Sequence, residues 1–406
     1  MKKSVLALSV AAALAAPLAA QADTILYGSA RVSVDYNDED VPFYLFNPAG
    51  TSIIGLGTKS SPAWDMVNND SRLGVIGSED LGGGLSAVYQ YEFGVDVTEG
   101  SNFESNRPKY VGLKGGFGTL TLGTQETPYY HVAGVTDIFN SGKTFTGPVW
   151  LGGSFNGFKV DFSGNTSRGT GNLVRYDNSV YYVSPEFSGF SAEAMLVMNG
   201  VNSLNSPLGV NTPVYSDGVD VWNIAAKYSN GPFFAGVSYI KLDGESNTFP
   251  IKLNNGLVQT MDFNLDQWTV GLGYNSGPFS VGFTYEQGTL NEFGFLSNLR
   301  YDGVRIGGDD ATNYYLTGSY TFGNNVVSAA FGQLDPGTQG LDKVDNYVVG
   351  YQYNLSKRTR LWAEYIGRSS DPKLNVLRPV AGGSGLVYNN PYGDQNAVSI
   401  GTRVDF

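Results

Sequence analysis

The chain has 406 residues, a formal net charge of −12 and no cysteine, and it is rich in Gly (54), Tyr (26) and Phe (23). The acidic balance argues against a nucleic-acid partner, because binding DNA or RNA needs clustered Lys and Arg. The lack of cysteine excludes a disulfide framework, and after residue 22 no stretch approaches the roughly 20 apolar residues of a membrane-spanning helix.

The N-terminus has the pattern of a secretory signal peptide over residues 1–22. Lys2 and Lys3 precede an apolar run from Val5 to Leu18, and Ala20-Gln21-Ala22 is a small-x-small cleavage site. A membrane anchor is the alternative, but the run is short and lacks a stop-transfer flank. Cleavage would leave residues 23–406 as a single domain, which we expect to be exported.

The rest of the chain shows a period of two. In Gln267–Tyr274 and Phe279–Glu286, large apolar residues alternate with small or polar ones. A soluble β-sandwich would show the same alternation. Here, however, the segments come in pairs with short turns at one end and long polar loops at the other, and aromatic residues lie toward the strand ends. These features favour a transmembrane β-barrel.

Counting the pairs predicts the architecture. Short turns are predicted at Leu81–Gly84, Gly115–Gly118, Pro185–Gly189, Asn230–Pro232, Ser276–Pro278, Phe322–Asn325 and Asn354–Lys357. Fourteen strands flank them, and Thr24–Tyr36 and Gln395–Phe406 add the first and last. We therefore predict an all-β fold, a transmembrane antiparallel 16-stranded β-barrel with short periplasmic turns and long extracellular loops. Closure pairs every strand, as the bilayer requires.

A barrel of sixteen strands encloses a lumen too wide for side chains to fill. The third loop, about Gln125–Thr170, is long enough to fold inward, and we expect Thr127–Trp150 to narrow the pore. A polar lid over the mouth is the alternative. Phe155–Gly164 could form an extra hairpin; we place it inside loop three, but the sequence leaves this open.

Several short motifs stand on these strands and turns. They are Leu26-Tyr27-Gly28, Ser71-Arg72-Leu73-Gly74, Gly77-Ser78-Glu79-Asp80-Leu81-Gly82, Tyr110-Val111-Gly112-Leu113-Lys114, Gly118-Thr119-Leu120-Thr121-Leu122-Gly123, Asn178-Ser179-Val180, Ser184-Pro185-Glu186-Phe187-Ser188-Gly189-Phe190 and the terminal Phe406. Together they resemble the Gram-negative general diffusion porins, most strongly in the first half and the last strand. The resemblance implies an outer-membrane homotrimer of passive aqueous channels for small hydrophilic solutes and ions. It also implies an inward-folded loop three, contact with outer-membrane lipid and lipopolysaccharide, and Phe406 as an assembly-machinery signal.

The same resemblance implies basic residues on the wall that face acidic residues of loop three. Carried over by motif, the wall residues are Arg31, Arg72, Arg107 and Arg175, and the loop acid is Asp137; Glu126 is the second nearby acid. Alternation supports an inward direction for Arg31, which shares parity with Ser29, and for Arg72. The four arginines lie about 20 Å above the turns by strand counting. Scattered lumen charges without a common role are the alternative.

The sequence departs from the family in two places that leave ion selectivity open. Ile76 stands where a lumen-facing Lys is common, and the Pro-Glu-Phe motif of loop three is missing. The long loops also carry acidic residues that we expect to be solvated or, alternatively, to bind divalent cations that bridge to lipopolysaccharide phosphates. These acids are Asp38, Glu39, Asp40, Glu99, Glu104, Asp302, Asp309, Asp310 and Asp342.

Three other functions are weighed. A barrel enzyme would need a Ser-His or Asp-His pair, but the sole histidine, His131, lies in loop three as an expected packing or titrating residue. We predict no catalytic residue, metal or cofactor, since no phosphate loop or metal-spaced cluster is present. A substrate-specific channel would show an inward aromatic run, yet only Tyr315 and Trp362 stand out. A structural barrel would have fewer strands or a filled lumen.

Overall fold

The computed structural model describes residues 23–46, 53–100, 103, 107–142, 173–198, 204–205, 211–212, 219–242, 249–252, 258–261, 265–290, 299–301, 304–305, 310–337, 343–369, 374–376, 387–389 and 394–406. The predicted signal peptide, residues 1–22, and the candidate hairpin Phe155–Gly164 lie outside the described residues. Within the described part, no helix is long and apolar enough to cross a membrane.

Eighteen strand segments form one antiparallel sheet. Three of these segments follow one another along the chain and pair in turn with the first strand, so we count them as one interrupted strand. The barrel therefore has sixteen strands. The strands are β1 (Asp23–Phe46), β2 (Ile53–Ser60, Ala63–Asn68 and Arg72–Gly82), β3 (Leu85–Gly94), β4 (Lys109–Gly115), β5 (Gly118–Glu126), β6 (Arg175–Val183), β7 (Phe190–Met198), β8 (Val219–Asn230), β9 (Phe233–Leu242), β10 (Leu265–Ser276), β11 (Phe279–Gly288), β12 (Ala311–Phe322), β13 (Asn325–Asp335), β14 (Val344–Asn354), β15 (Thr359–Ser369) and β16 (Gln395–Asp405).

The sheet closes on itself because β1 pairs with β2 on one edge and with β16 on the other. All seven predicted turns are confirmed, and the sixteen-strand count is confirmed with them. Further short strands lie in the connections between barrel strands; they are Leu204–Asn205, Asn211–Thr212, Phe249–Lys252, Val258–Met261, Leu299–Tyr301, Val304–Arg305, Leu374–Val376 and Val387–Asn389.

The first strand is longer than predicted. It was expected to end at Tyr36, with Asp38, Glu39 and Asp40 in a loop, but β1 continues to Phe46. Its upper part still pairs with β2, since Asp40 lies opposite Ser60. Charged residues suggest a loop in a sequence, yet a hairpin that rises beyond the apolar band can carry them in a strand. The prediction that these three acids lie in a loop is wrong.

The alternation places polar residues inside the barrel and apolar residues outside. On β10, Gln267 and Thr269 are buried, whereas Leu272 is 46% exposed and Tyr274 is 37% exposed on the outer face. A soluble sandwich would have the reverse arrangement, because water-exposed apolar surface is unfavourable. The outer face is therefore suited to hydrocarbon and the inner face to water.

Aromatic pairs form two bands on the outer face. Near the turns, the rings of Phe233 and Tyr274 lie 5.2 Å apart between centroids. Toward the loops, Trp268 and Tyr285 are also separated by 5.2 Å. Trp268 and Tyr274 lie on the same face of β10, six residues or about 20 Å apart along the strand. Two aromatic bands at this separation match the interfacial girdles of a membrane barrel.

Candidate pore constriction

Loop three leaves the wall after β5 and begins as a short helix. The helix, α1, spans Pro128–Ala133, and a 3-10 turn follows at Gly134–Thr136. The side-chain oxygen of Thr127 caps the helix by accepting a hydrogen bond from the backbone N–H of Tyr130 at 3.0 Å. A cap of this type satisfies a backbone donor that would otherwise lack a partner.

The inner wall receives this segment on a glycine seat. The glycine seat consists of Gly236, Gly271, Gly273 and Gly282. A Cβ atom at Gly271 would collide with the carbonyl oxygen of Val132, and one at Gly282 would lie 2.7 Å from the carbonyl oxygen of Val135. Since real Cβ atoms do not approach so closely, only glycine allows the loop backbone to lie against β10 and β11.

Wall carboxylates hold the loop at two further points. The hydroxyl of Tyr129 donates to Glu286 Oε1 at 2.7 Å. Past the 3-10 turn, the backbone N–H groups of Asn140 and Ser141 donate to the two oxygens of Glu364 at 2.8 and 3.0 Å. These anchors lie on β11 and β15, so the described part of loop three runs across the inside of the barrel and narrows it.

His131 forms a further contact between α1 and the wall. Its Nδ1 lies 2.9 Å from Glu193 Oε2, and its Nε2 lies 3.7 Å from Glu126 Oε2. Burial lowers the pKa of His131, but the hydrogen bonds and negative charges of the two glutamates outweigh it and raise the pKa to about 9. His131 is therefore a cation at neutral pH, beside the ion pair between Lys227 and Glu193.

Two predicted wall arginines meet at one glutamate. Arg107 Nη1 and Arg72 Nη1 lie 3.7 and 4.0 Å from Glu92 Oε1, and Arg107 also pairs with Asp70 at 2.7 Å. The side chain of Arg107 is only 3% exposed, whereas that of Arg72 is 29% exposed. Arg72 can thus meet solutes in the pore, while Arg107, which lies just before β4, serves mainly to organise the acids around it.

The remaining predicted acid and arginine of this region form a separate pair. Arg175 Nε lies 3.5 Å from Glu126 Oε1. Glu126 was predicted in loop three, but β5 runs through Glu126 and the loop starts at Thr127. The prediction placed the boundary at about Gln125, but Gln125 and Glu126 both pair with β6.

Arg31 belongs to a row of arginines at the strand pair that closes the barrel. Arg31 of β1 lies directly opposite Arg403 of β16, which in turn lies opposite Arg360 of β15. We call these three residues the seam row. Asp405 accepts hydrogen bonds from Arg403 at 2.7 Å and from Arg360 at 2.8 Å. Arg31 donates to Ser29 Oγ at 2.9 Å and has no carboxylate within ion-pairing distance among the described residues.

Asp137, the predicted loop acid, is exposed at the end of the 3-10 turn. It lines a cavity of about 260 Å³ together with Arg360 and Arg403 of the seam row. A larger cavity of about 1170 Å³ is lined by Arg72, His131 and Arg403. Arg403 thus borders both spaces, with the loop carboxylate on one side and the open lumen on the other.

The inward aromatic residues differ from the expectation. Tyr315 and Trp362 face inward as predicted, but each is only 2% exposed, and Phe139 of loop three packs against the cluster that contains Tyr315. Tyr27 and Tyr110 line the larger cavity, so the expectation that only two inward aromatics stand out is wrong. Tyr27 shares parity with Ser29 and Arg31, so alternation could have identified it as an inward residue.

The structure therefore brings the predicted residues into three groups and adds residues that were not foreseen. Arg72 and Arg107 meet at Glu92, Arg175 meets Glu126, and Arg31 joins the seam row. The residues that sequence reasoning missed are Asp70, Glu92, Glu193, Lys227, Glu286, Arg360, Glu364, Arg403 and Asp405. Alternation could have identified Arg360 beside Leu361 and Arg403 beside Val404 as inward residues, but it does not reveal which strands are neighbours.

Comparison with known proteins agrees with this architecture. The family model described as Gram-negative porin matches residues 7–370. Outer membrane porin protein 32 of Delftia acidovorans is 30% identical over 368 residues, which cover 89% of this chain and 88% of that protein. Among solved structures, the anion-selective porin from Comamonas acidovorans superposes with a TM-score of 0.64 at 23% identity, covering 95% of this chain and 100% of that one. The trimer form of in-vitro folded OmpT from Vibrio cholerae superposes with a TM-score of 0.54 at 14% identity, covering 95% and 99%. The chain belongs to the Gram-negative porin family and is a channel protein of the outer membrane.

Proposed function

We propose that the protein is a homotrimer in which each barrel is a passive aqueous pore for small hydrophilic solutes and ions, narrowed by loop three. Three observations support this. The inner face is polar, the larger cavity holds about 1170 Å³, and the glycine seat and wall carboxylates fix the loop inside the barrel. A trimer form is known for a protein of the same fold, the OmpT of Vibrio cholerae.

The ion preference that we propose is for anions. The observation that carries it is the seam row, in which three arginines share one register row and Asp405 is the one carboxylate of the described residues within ion-pairing distance of them. Arg72 of β2 extends the positive surface, because it lies opposite Ser29 of β1 and its side chain is partly open to the lumen. An excess of guanidinium groups raises the local concentration of anions.

Asp137 provides the opposite sign across the narrow part of the pore. Arginines on the wall and a carboxylate on loop three produce a transverse field. A polar solute can align its dipole with this field, whereas an apolar solute must displace ordered water without compensation. Each unit charge at a partly screened constriction changes ion energies by on the order of 1 kcal/mol, which is enough to alter permeability ratios several-fold without tight binding.

The remaining parts of the proposal concern export and assembly. Residues 1–22 act as a cleaved signal peptide, and outer-membrane lipid surrounds the apolar outer face. Acidic residues near the extracellular side, such as the exposed Glu99, associate with lipopolysaccharide through divalent cations. The aromatic C-terminus, Phe406, is the signal read by the outer-membrane assembly machinery.

Planar-bilayer recording of the purified protein tests the proposal. A general anion-favouring pore gives ohmic currents in steps of three, with a reversal potential in a KCl gradient displaced toward chloride. Saturation by a single uncharged hydrophilic solute, such as one sugar, would instead favour a substrate-specific channel. A silent barrel would favour a structural role, and a reversal potential displaced toward potassium would contradict the proposed anion preference.

A further inference from the structure

Large aliphatic side chains face the lumen on the wall formed by β1 and β2. Ile25 and Ile76 lie directly opposite each other in the register of the two strands, and they are 61% and 38% exposed. Their parity is that of Ser29 and Arg72, which face inward, and both isoleucines line the larger cavity. They therefore expose apolar surface to water inside the pore. Contact with lipid cannot explain this surface, because lipid covers only the outer face of the barrel.

The apolar surface continues onto the next two strands. Val88 of β3 and Tyr110 of β4 line the same cavity, as does Tyr27 of β1. We define the vestibule patch as Ile25, Tyr27, Ile76, Val88 and Tyr110. The opposite wall differs at the turn side of the barrel, where inward positions that lie side by side on β11, β12 and β13 are serines, namely Ser280, Ser319 and Ser328.

Positive charge lies at both ends of the vestibule patch. Lys114 of β4 is exposed, lines the cavity and has no carboxylate within ion-pairing distance among the described residues. It is one inward position closer to the turn than Gly112, the residue opposite Val88. Arg72 lies two inward positions from Ile76 on β2, or about 13 Å along the strand. A ligand that spans the patch therefore meets a cation at either edge.

We propose that the vestibule patch binds small amphipathic carboxylates, with an aromatic or branched aliphatic body on the patch and the carboxylate at Lys114. This inference rests on the proposed channel function and adds a weak binding site on the turn side of the constriction. An uncharged apolar solute would gain only the apolar contact with the patch, and a small anion without an apolar group would gain only the ion pair with Lys114. The combination distinguishes this class of solute from sugars and inorganic anions.

The first test compares three probes on the wild-type trimer in planar bilayers at constant ionic strength. Benzoate carries both features, acetate only the carboxylate, and benzamide only the aromatic body. We expect benzoate to reduce the KCl current saturably, with half-saturation at a concentration at least about fivefold lower than that of acetate or benzamide. Equal half-saturation for benzoate and either control, or no saturation by benzoate, would overturn the inference.

Variants locate the site. Ile76→Ser should weaken benzoate block about fivefold, the factor for losing roughly 40 Å² of apolar contact, and Lys114→Gln should bring benzoate close to benzamide. Val326→Ser is the matched control, because Val326 faces inward on β13, away from the patch, and should leave the block unchanged. If Ile76→Ser fails to assemble, Lys114→Gln and the probe comparison still decide between the outcomes.

Two results separate this inference from the proposed function. A trimer without KCl conductance would contradict the channel itself, whereas a conducting trimer whose current does not respond to benzoate would overturn this inference alone.

Discussion

Arg31 and Arg403 lie directly opposite each other across the strand pair that closes the barrel. Like charges in this position destabilise an antiparallel pair. Asp405 offsets part of the repulsion by accepting a hydrogen bond from Arg403, and lumen water screens the rest. The barrel thus keeps a destabilising pair of like charges at its closing strands. We infer that its function is to give the pore wall a positive potential.

Removing one charge of the seam row should change ion preference. We expect Arg403→Gln to shift the reversal potential in a KCl gradient toward potassium, with a several-fold change in the chloride-to-potassium permeability ratio. Val270→Leu, on the lipid-facing side of β10, serves as the control and should change nothing. An unchanged reversal potential in Arg403→Gln would show that the seam row does not sense permeating ions.

The contact of His131 with Glu193 and Glu126 should make stability depend on pH. Because the pKa of His131 is raised from 6.5 to about 9 in the folded protein, its stabilisation is complete below pH 6.5 and is lost as the pH rises through about 9. The melting temperature of the wild-type protein should therefore exceed that of His131→Gln at pH 6, and the difference should shrink by pH 10. A difference that is constant or grows with pH would contradict this assignment.

The glycine seat should control the position of loop three. Gly271→Ala places a methyl group against the carbonyl oxygen of Val132, so we expect the loop to shift and the single-channel conductance to change. Gly318→Ala is the matched control, since the nearest heavy atom to its added Cβ lies 3.9 Å away. If both variants conduct as the wild type does, the loop does not depend on the seat.

Phe406 should be needed to close the seam. Its backbone exchanges two hydrogen bonds with Gly28, at 2.9 and 3.1 Å, and its ring occupies the space that a side chain at Gly28 would need. Deleting Phe406 should reduce the yield of heat-modifiable trimer in outer-membrane fractions, whereas Phe406→Tyr, which keeps the ring and the backbone, should assemble normally. Full assembly of the truncated chain would count against both the seam contact and the assembly signal.

The fold could be predicted from local patterns because each hairpin carries its own signals. Turns such as Asn230–Pro232 combine Gly and Pro between alternating segments, and the observed Gly231 has a φ of +57°, which favours glycine. The end of β1 could not be predicted, because four consecutive polar residues, Asn37–Asp40, interrupt the alternation although they pair with the neighbouring strands. There, pairing and not hydrophobicity decides where the strand ends.

The candidate site could be predicted only in part, since alternation gives the direction of a side chain but not its neighbours. Arg72 was correctly placed on the inner wall, yet its contact with Glu92 depends on the register between β2 and β3. Likewise, Arg403 and Arg31 are 372 positions apart in the chain and meet only because the barrel closes. The ion pair of His131 with Glu193 depends on the path of loop three, which no local pattern encodes.

The most direct test of the central claim is the reversal potential of single channels in a KCl gradient for Arg72→Glu and Asp137→Lys, measured beside the wild type. If the wall arginines and the loop carboxylate face each other across a passive pore, Arg72→Glu shifts the reversal potential toward potassium and Asp137→Lys shifts it toward chloride. Both variants should keep ohmic currents in steps of three. Reversal potentials that stay at the wild-type value in both variants would contradict the account.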